Sequence, residues 1–453
     1  MLDRVQKISR ELSPGLRKII GNVGWLFAER LLMMIVNFLV SVYVIRYLGA
    51  GNFGKLSYSL SLVIIFSAIA NLGLNGIVVR EVVREEKNAP EILGTAFVLK
   101  LIASLATIAL IALSIVLFTN QPDTRSMTVV ISIGLVFSAF DVIEFWFESQ
   151  VLSRVTAILR TMQTILSSIV KFILIAGHLP PIAFAWLVLG ENTFKALAMS
   201  VAYIRHDQSL RKWRVNWSKG WEMLQDSWPL LLSTGMILIY MKIDQVMLGN
   251  MSTVSAVGNY AAAVRFSEVW YFIPIAICSS LFPSIFRSKQ RSDREYYSRL
   301  QILYDLMAWF AFSIAIPMTF LSTPLMVTLL GPTYVESGEI LTFHIWSGLF
   351  VFLGHAQHQW LMAENINQFS LAKTSLGALS NILLNFWLIP HYQGVGAAIA
   401  TTVSYFIYSH ISCLLFPQLR ANGWMLTKAL FIPFRISQNI QYFNTIKKVI
   451  VKA

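Results

Sequence analysis

Residues 92–118 read ILGTAFVLKLIASLATIALIALSIVLF, an unbroken apolar run whose single charge is Lys100. At about 1.5 Å per helical residue such a run reaches about 40 Å, more than the roughly 30 Å of a bilayer's hydrocarbon core. It reads as a membrane span. Working outward, eleven further stretches of the same character lie near 22–46, 54–78, 127–148, 155–177, 181–204, 228–249, 258–284, 301–330, 338–362, 369–390 and 394–417. The whole composition follows them. Hydrophobic residues make up 56% of the 453, charged residues 13%, and the mean hydropathy is +0.62, whereas soluble domains run near roughly 45–50% apolar and 25% charged. The fold class expected is an all-α polytopic membrane protein of about twelve transmembrane helices. Two cysteines, Cys278 and Cys413, both in apolar runs, offer neither a disulfide framework nor a thiolate metal site.

The net charge of +13 is first a matter of topology. With an even number of spans both termini share a side. If that side is cytoplasmic it receives the tail bases Arg4, Lys7, Arg10, Arg17 and Lys18, then Arg80, Arg84, Lys87, Arg154, the run Arg205 to Lys219, and Arg287 to Arg299. The C-terminal bases follow on the same side. The other side receives Arg46, Lys55 and Arg125, so both ends are expected in the cytoplasm and nucleic acid is not an expected partner. No cleavable leader is read in the basic N-terminus, and the first apolar run is expected to remain a helix. The interruption after His206 divides the chain into a basic N-tail (1–21), a six-helix lobe (22–204), a cytoplasmic linker (205–227), a second six-helix lobe (228–417) and a C-tail (418–453). Tyr47-Leu48-Gly49 with Phe53-Gly54 opens the first lobe much as Met247-Leu248-Gly249 with Val257-Gly258 opens the second. Such a parallel repeat suggests a pseudo-two-fold along the membrane normal and a cavity between lobes; ordinary turn chemistry at a short Leu-Gly loop reads equally well. The C-tail, with Leu430 to Ile436, Ile440, Tyr442 and Phe443 among bases, is expected to lie on the anionic inner leaflet.

Nothing marks an enzyme. No loop is large enough to carry a catalytic domain, Asn71 to Gly76 follows no strand that would make it a nucleotide loop, and His355 with His358 lacks further ligands. The informative residues are charges within spans, each costing about 2.5–3.5 kcal/mol at a helix centre and persisting where they line a wet cavity or find partners. Arg30, Lys242 and Arg265 fall in the first, seventh and eighth spans, and a cluster of buried bases suits a phosphate-bearing cargo, because guanidinium binds phosphate oxygens bidentately. Lys100 and Lys171 are further candidate cavity bases. Asp141, Asp244, Glu268 and Glu191 are candidates for coupling to protons or sodium, with no cofactor otherwise expected. The bland reading of Glu191 and Lys195, four residues apart, is a self-neutralising pair on one helix face.

The local sequences also resemble a family. Tyr47-Leu48-Gly49 with Phe53-Gly54, then Asn71-Leu72-Gly73-Leu74 before Arg80-Glu81, are similar to the opening hairpin of the polysaccharide-repeat-unit (O-antigen, Wzx-type) flippases of the multidrug/oligosaccharidyl-lipid/polysaccharide exporter superfamily. Ile243-Asp244 to Gly249, Gly258-Asn259-Tyr260 to Arg265, and Phe282-Pro283 resemble that family's seventh and eighth spans. Asn381 to Asn385, Leu388-Ile389-Pro390 and Gly394 to Thr401 resemble its last two. The resemblance implies a two-lobed, V-shaped bundle in the bacterial inner membrane, moving an undecaprenyl-pyrophosphate-linked oligosaccharide to the outer leaflet by alternating access. Its implied partners are that cargo, membrane lipids, a polysaccharide polymerase and a chain-length regulator, with the transporter itself a monomer. Related lipid II flippases carry two further C-terminal spans, absent here, and place cavity arginines where Arg30 and Arg265 fall. Multidrug antiporters of the superfamily share twelve spans but keep an acidic cavity, and Asp141 with Glu144 leaves that alternative open; a membrane polysaccharide polymerase fits less well for want of an outer domain.

Overall fold

The computed structural model describes residues 14–119, 121–366 and 368–451, with 14–30, 118, 443 and 445–451 described by backbone alone. Every regular element among them is helical. In chain order these are α1 (Pro14–Asn71), α2 (Asn75–Arg84), α3 (Ala89–Phe118), α4 (Pro122–Phe137), α5 (Asp141–Ser149), α6 (Ser153–Ala176), α7 (Ile182–Arg205) and α8 (Trp217–Met251). There follow α9 (Val254–Glu268), α10 (Phe272–Lys289), α11 (Asp293–Leu330), α12 (Val335–His344), α13 (Ser347–Ala363) and α14 (Gln368–Phe406). A π-helical turn, Ile407–Ile411, leads into α15 (Ser412–Leu415), and α16 (Arg420–Leu430) and α17 (Ile436–Val451) complete the chain.

Nine of the described helical stretches are long and apolar enough to cross a membrane, and the pair α12–α13, bent by 44°, makes a tenth. Two of the ten are hairpins. Leu31–Arg84 would measure about 80 Å if straight, far beyond one crossing, and the helix breaks at Gly49 (φ 66°), a left-handed conformation that glycine adopts without penalty. α14 breaks likewise at Gln393 (φ 47°), just after Pro390. Counting both hairpins twice gives the twelve passes read from the sequence.

The turns sort into two ends. Tyr47 Oη donates to Leu179 O (2.9 Å), Tyr334 Oη to Ile45 O (2.7 Å), and Lys55 Nζ meets Asp123 Oδ2 at 2.6 Å, which sets the Gly49 turn level with the turns after α3, α6 and α11. This is the far end. The opposite, basic end carries Arg80, Arg84, Lys87, Arg205, Arg211, Lys212 and Arg287.

Buried apolar side chains form three clusters, and their placement gives the shape. One, at the far end, mixes both halves of the chain: Ile45, Leu48, Leu62 and Ile131 pack with Leu248, Val257, Tyr334 and Ile389. At the basic end each half has its own: Leu74, Ile92, Phe147 and Tyr203 in the first, and Leu303, Tyr304, Phe352 and Leu426 in the second. Two bundles sharing a core at one end and keeping separate cores at the other make a V that parts toward the basic end. The seam at the far end is backbone on backbone. A Cβ built on Gly54 would lie 1.9 Å from Val254 O, and one on Gly258 1.9 Å from Ala50 O, so only glycine permits this approach.

Two expectations change. The linker expected at 205–227 is helical from Trp217, and this end of α8 belongs to the first half. Asn216 caps it by accepting from Lys219 N (3.2 Å), its amide donates to Glu91 Oε1 (2.7 Å), and Lys219 pairs with Glu81 (2.7 Å) and Glu85 (3.1 Å). The C-tail does not form one free helix. α16 packs on α11 through Leu426 and Ala429, with Asn422 Nδ2 donating to Tyr304 Oη (2.7 Å).

Candidate functional site: a charged cavity between the halves

A cavity of about 330 Å³ lies between the two halves, within the range of small-ligand pockets. Each wall contributes a stripe of three- and four-residue spacing, the period that keeps side chains on one helix face. α1 gives Asn37, Val40, Ser41 and Val44 from its first limb and Ser57, Leu60, Ser61 and Ile64 from its second; α9 gives Ala261, Val264, Arg265 and Glu268. Five ionisable side chains reach it: Lys171 on α6, Glu191 on α7, Lys242 on α8, and Arg265 and Glu268 on α9.

These charges are not equivalent. Lys171 Nζ lies 3.2 Å from Glu191 Oε1, which also accepts from Ser167, so on the first half a base and an acid neutralise each other. On the second half Arg265 is exposed into the cavity and Lys242 half-buried, and neither has an ion pair or hydrogen bond among the described residues. Among the described residues, two bases therefore face one carboxylate without an ion pair, Glu268, an excess of one positive charge. Ser61 Oγ donates to Gln245 Oε1 across the halves (2.7 Å), and Asn37, Ser41, Ser57 and Gln245 line the walls, giving the amide and hydroxyl groups with which polyols hydrogen-bond. The sequence reading passed over these neutral residues. The signal was present in Asn37/Ser41 and Ser57/Ser61, small polar residues four apart in otherwise apolar spans.

Asp244 is elsewhere. It is two residues from Lys242, about 200° around the helix, and so faces the interior of the second half, where it is 2% exposed. Asn385 Nδ2 donates to Asp244 Oδ1 (2.5 Å), Tyr260 Oη and Thr401 Oγ1 to Oδ2 (2.8 Å each), and Asn385 Nδ2 also reaches Asn381 Oδ1 (3.0 Å). Asn385 Oδ1 is buried with no hydrogen-bond partner among the described residues. A carboxylate, two amides and two hydroxyls thus form one buried polar cluster between α8, α9 and α14, in which the Asn381 Nδ2 donor is also without a partner among the described residues.

Lys100 and Asp141, also singled out from the sequence, form a third group that does not line the cavity. Lys100 is 1% exposed, with Nζ 3.0 Å from Asn71 Oδ1, 3.7 Å from Asp141 Oδ2 and 5.3 Å from the Phe145 ring centroid. Lys195 bridges Asp141 (2.8 Å) and Glu144 (3.0 Å), and Arg160 also binds Glu144. The expected pairing of Glu191 with Lys195 along one helix is therefore absent. Each finds its partner on another helix: Glu191 meets Lys171 on α6, and Lys195 meets Asp141 and Glu144 on α5. Arg30 lies on α1, and its side chain falls outside the described residues.

Comparison with known proteins agrees with this architecture. A profile described as "Polysaccharide biosynthesis protein" matches residues 19–289. The probable flippase AglR of Haloferax volcanii is 25% identical over 412 residues, covering 86% of this chain and 82% of the relative. Among solved structures, a multidrug resistance MATE family transporter of the MOP superfamily in an inward-facing conformation superposes with a TM-score of 0.68 at 12% identity, covering 87% of this chain and 96% of the other. The lipid II flippase MurJ, in an inward closed conformation, gives 0.64 at 14% identity, covering 93% and 99%.

Proposed function

Since the chain belongs to the polysaccharide biosynthesis protein family, we propose that it is a flippase that carries a polyprenyl-pyrophosphate-linked oligosaccharide from the inner to the outer leaflet by alternating access. The observation that carries this reading is the pair of bases Lys242 and Arg265, neither in an ion pair among the described residues and outnumbering the one facing carboxylate, Glu268, in a cavity that belongs to both halves. With the basic end cytoplasmic, as the positive-inside rule requires, the pyrophosphate enters between the parted halves and binds these bases. The sugars then meet the hydroxyl- and amide-bearing walls, and the polyprenyl chain stays in lipid. Closing the basic end and opening the glycine seam releases the headgroup on the other side, where a polymerase and its chain-length regulator would receive it.

Asp244 is the coupling group in this scheme. The buried polar cluster around it would take up a proton or sodium, as intramembrane acids commonly do. A cation-coupled drug antiporter shares the fold, but the acids it would use on the first half, Asp141 and Glu144, are already bound to Lys195.

The deciding experiment is complementation of a strain lacking the chain. Such a strain should accumulate lipid-linked oligosaccharide on the cytoplasmic leaflet, and an Arg265→Glu, Lys242→Glu double variant that inserts normally should fail to clear it. Full clearance by the double variant would sink the proposal.

A further inference from the structure

The last acidic residue of the chain is Glu364; from 365 to 453 there is no Asp or Glu, while the final 36 residues hold six bases, Arg420, Lys428, Arg435, Lys447, Lys448 and Lys452. The acid that this segment does meet comes from outside it. Asp305, on α11 and 0% exposed, accepts from Arg435 Nη1 (3.1 and 3.2 Å), from Tyr442 Oη (2.7 Å) and from Gln301 Nε2 (2.8 Å). Burial pushes the Tyr442 phenol up to about 12, which keeps it a neutral donor to that carboxylate. Asn439 adds a third tie between the segment and α11, its Oδ1 accepting from Trp309 Nε1 at 3.2 Å. Residues 435–442 are thus clamped at one depth on α11.

That depth follows from helix length. α11 runs 38 residues to Leu330 at the far end, and a hydrocarbon core of about 30 Å takes about 20 of them. The core's basic-end edge therefore falls near Trp309, and Asp305 with Gln301 lies in the headgroup layer. The clamped segment turns apolar side chains outward there: Phe434 is 79% exposed and Ile436 68%, with Phe431, Ile440 and Trp424 beside them. Arg420 and Lys428 on α16 are exposed in the same stretch and have no acidic partner among the described residues.

We propose that α16, the start of α17 and Trp309 form a dock for anionic phospholipid, with acyl chains under the outward aromatic and aliphatic side chains and headgroup phosphates on Arg420 and Lys428. The Asp305 clamp fixes the segment at the height where both contacts are made. Aromatic anchors at the interface and juxtamembrane bases facing acidic headgroups are each favourable in a bilayer, and here one rigid element presents the two together.

The test is hydrogen exchange of the full chain in nanodiscs of phosphatidylcholine, with and without phosphatidylglycerol. Amides of 420–442 should slow about fivefold or more when phosphatidylglycerol is present, the factor one base gains near an acidic leaflet, and high salt should remove the difference. Arg420→Gln with Lys428→Gln, both on the surface, should keep the protection seen in phosphatidylcholine and lose the phosphatidylglycerol response. Asp305→Asn should release the segment in both lipids; should that variant fail to fold, the surface double variant decides alone. Equal exchange in the two lipids would overturn the proposal, as would a response that survives the double substitution. Protection rising with the number of chains per disc rather than with phosphatidylglycerol would assign the face to a second copy, and would overturn it too.

Discussion

Replacing Gly258 by alanine should open the far end. A Cβ there would meet Ala50 O at 1.9 Å and Gly54 N at 3.0 Å, where ordinary contact begins at 3.4 Å, so α9 and the Gly49 corner must part by about 1.5 Å in a close-packed seam. The obstructing atoms are backbone and have no rotamer in which to retreat. Overpacking of this kind costs about 1–3 kcal/mol, and the penalty applies only while the seam is closed, so in an alternating-access protein it is a bias between states. Between two conformations it amounts to a shift of roughly 5- to 150-fold. Ser57, on the cavity wall and 6% exposed, is a suitable reporter as Ser57→Cys, because the two native thiols, Cys278 and Cys413, are buried. A membrane-impermeant maleimide added at the far face should label Ser57→Cys slowly in the parent and at least several-fold faster with Gly258→Ala. Gly54→Ala, which meets Val254 O at 1.9 Å, should do the same; Gly51→Ala, whose Cβ would find only Ser255 Oγ at 3.6 Å, should leave labelling unchanged. Unchanged labelling in Gly258→Ala and Gly54→Ala, with normal folding, would refute the claim that this glycine contact closes the far end.

Three further perturbations read other parts of the structure. Lys195→Met leaves Asp141 and Glu144 short of their shared base; because the three side chains are partly exposed, the loss should fall below the about 3–5 kcal/mol of a fully buried pair, the thermal midpoint in detergent should fall by a few degrees, and an unaltered midpoint would show that Lys100 and Arg160 suffice. Tyr334→Phe removes the bond to Ile45 O, worth about 1 kcal/mol, and should raise far-face labelling of Ser57→Cys by less than Gly258→Ala does. If Asp244 couples transport to sodium, adding sodium in place of potassium should raise the parent's thermal midpoint and leave Asp244→Asn unmoved; equal response in both would remove Asp244 from the coupling role.

What was legible in the sequence was whatever depends on composition along one helix. Twelve apolar runs and the turn at Gly49 survive in the structure, and the comparisons bear out the family resemblance, whereas Gly249 lies within α8 and the chain turns only after Met251. Which charges meet was not legible, because that depends on how helices rotate about their axes and where they break. Lys195 illustrates it: four residues from Glu191 it reads as one half of a pair, yet Asp141 and Glu144 of another pass supply closer carboxylates. Lys100 and Lys171 look alike in sequence, each a lone lysine in an apolar run. One is sealed against Asn71 and Phe145, the other faces the cavity, and nothing in either run distinguishes them.

The placement of Asp244 bears directly on how the cavity and the buried polar cluster behind it are connected. α8 presents Lys242 to the cavity and Asp244 to the interior from the same turn. α9 presents Arg265 and Glu268 to the cavity and, from the preceding turns, Tyr260 to Asp244. The two helices that carry the unpaired cavity bases are therefore the two whose opposite faces close on Asp244, joined from behind by Asn385 and Thr401 of α14. In the proposed coupling role, charging, neutralising or ligating Asp244 would change how tightly α8, α9 and α14 are held together, and Lys242 and Arg265 would move with their backbones. Such coupling would require no long relay, only that one packed group of three helices has two arrangements and that both sites bias the choice.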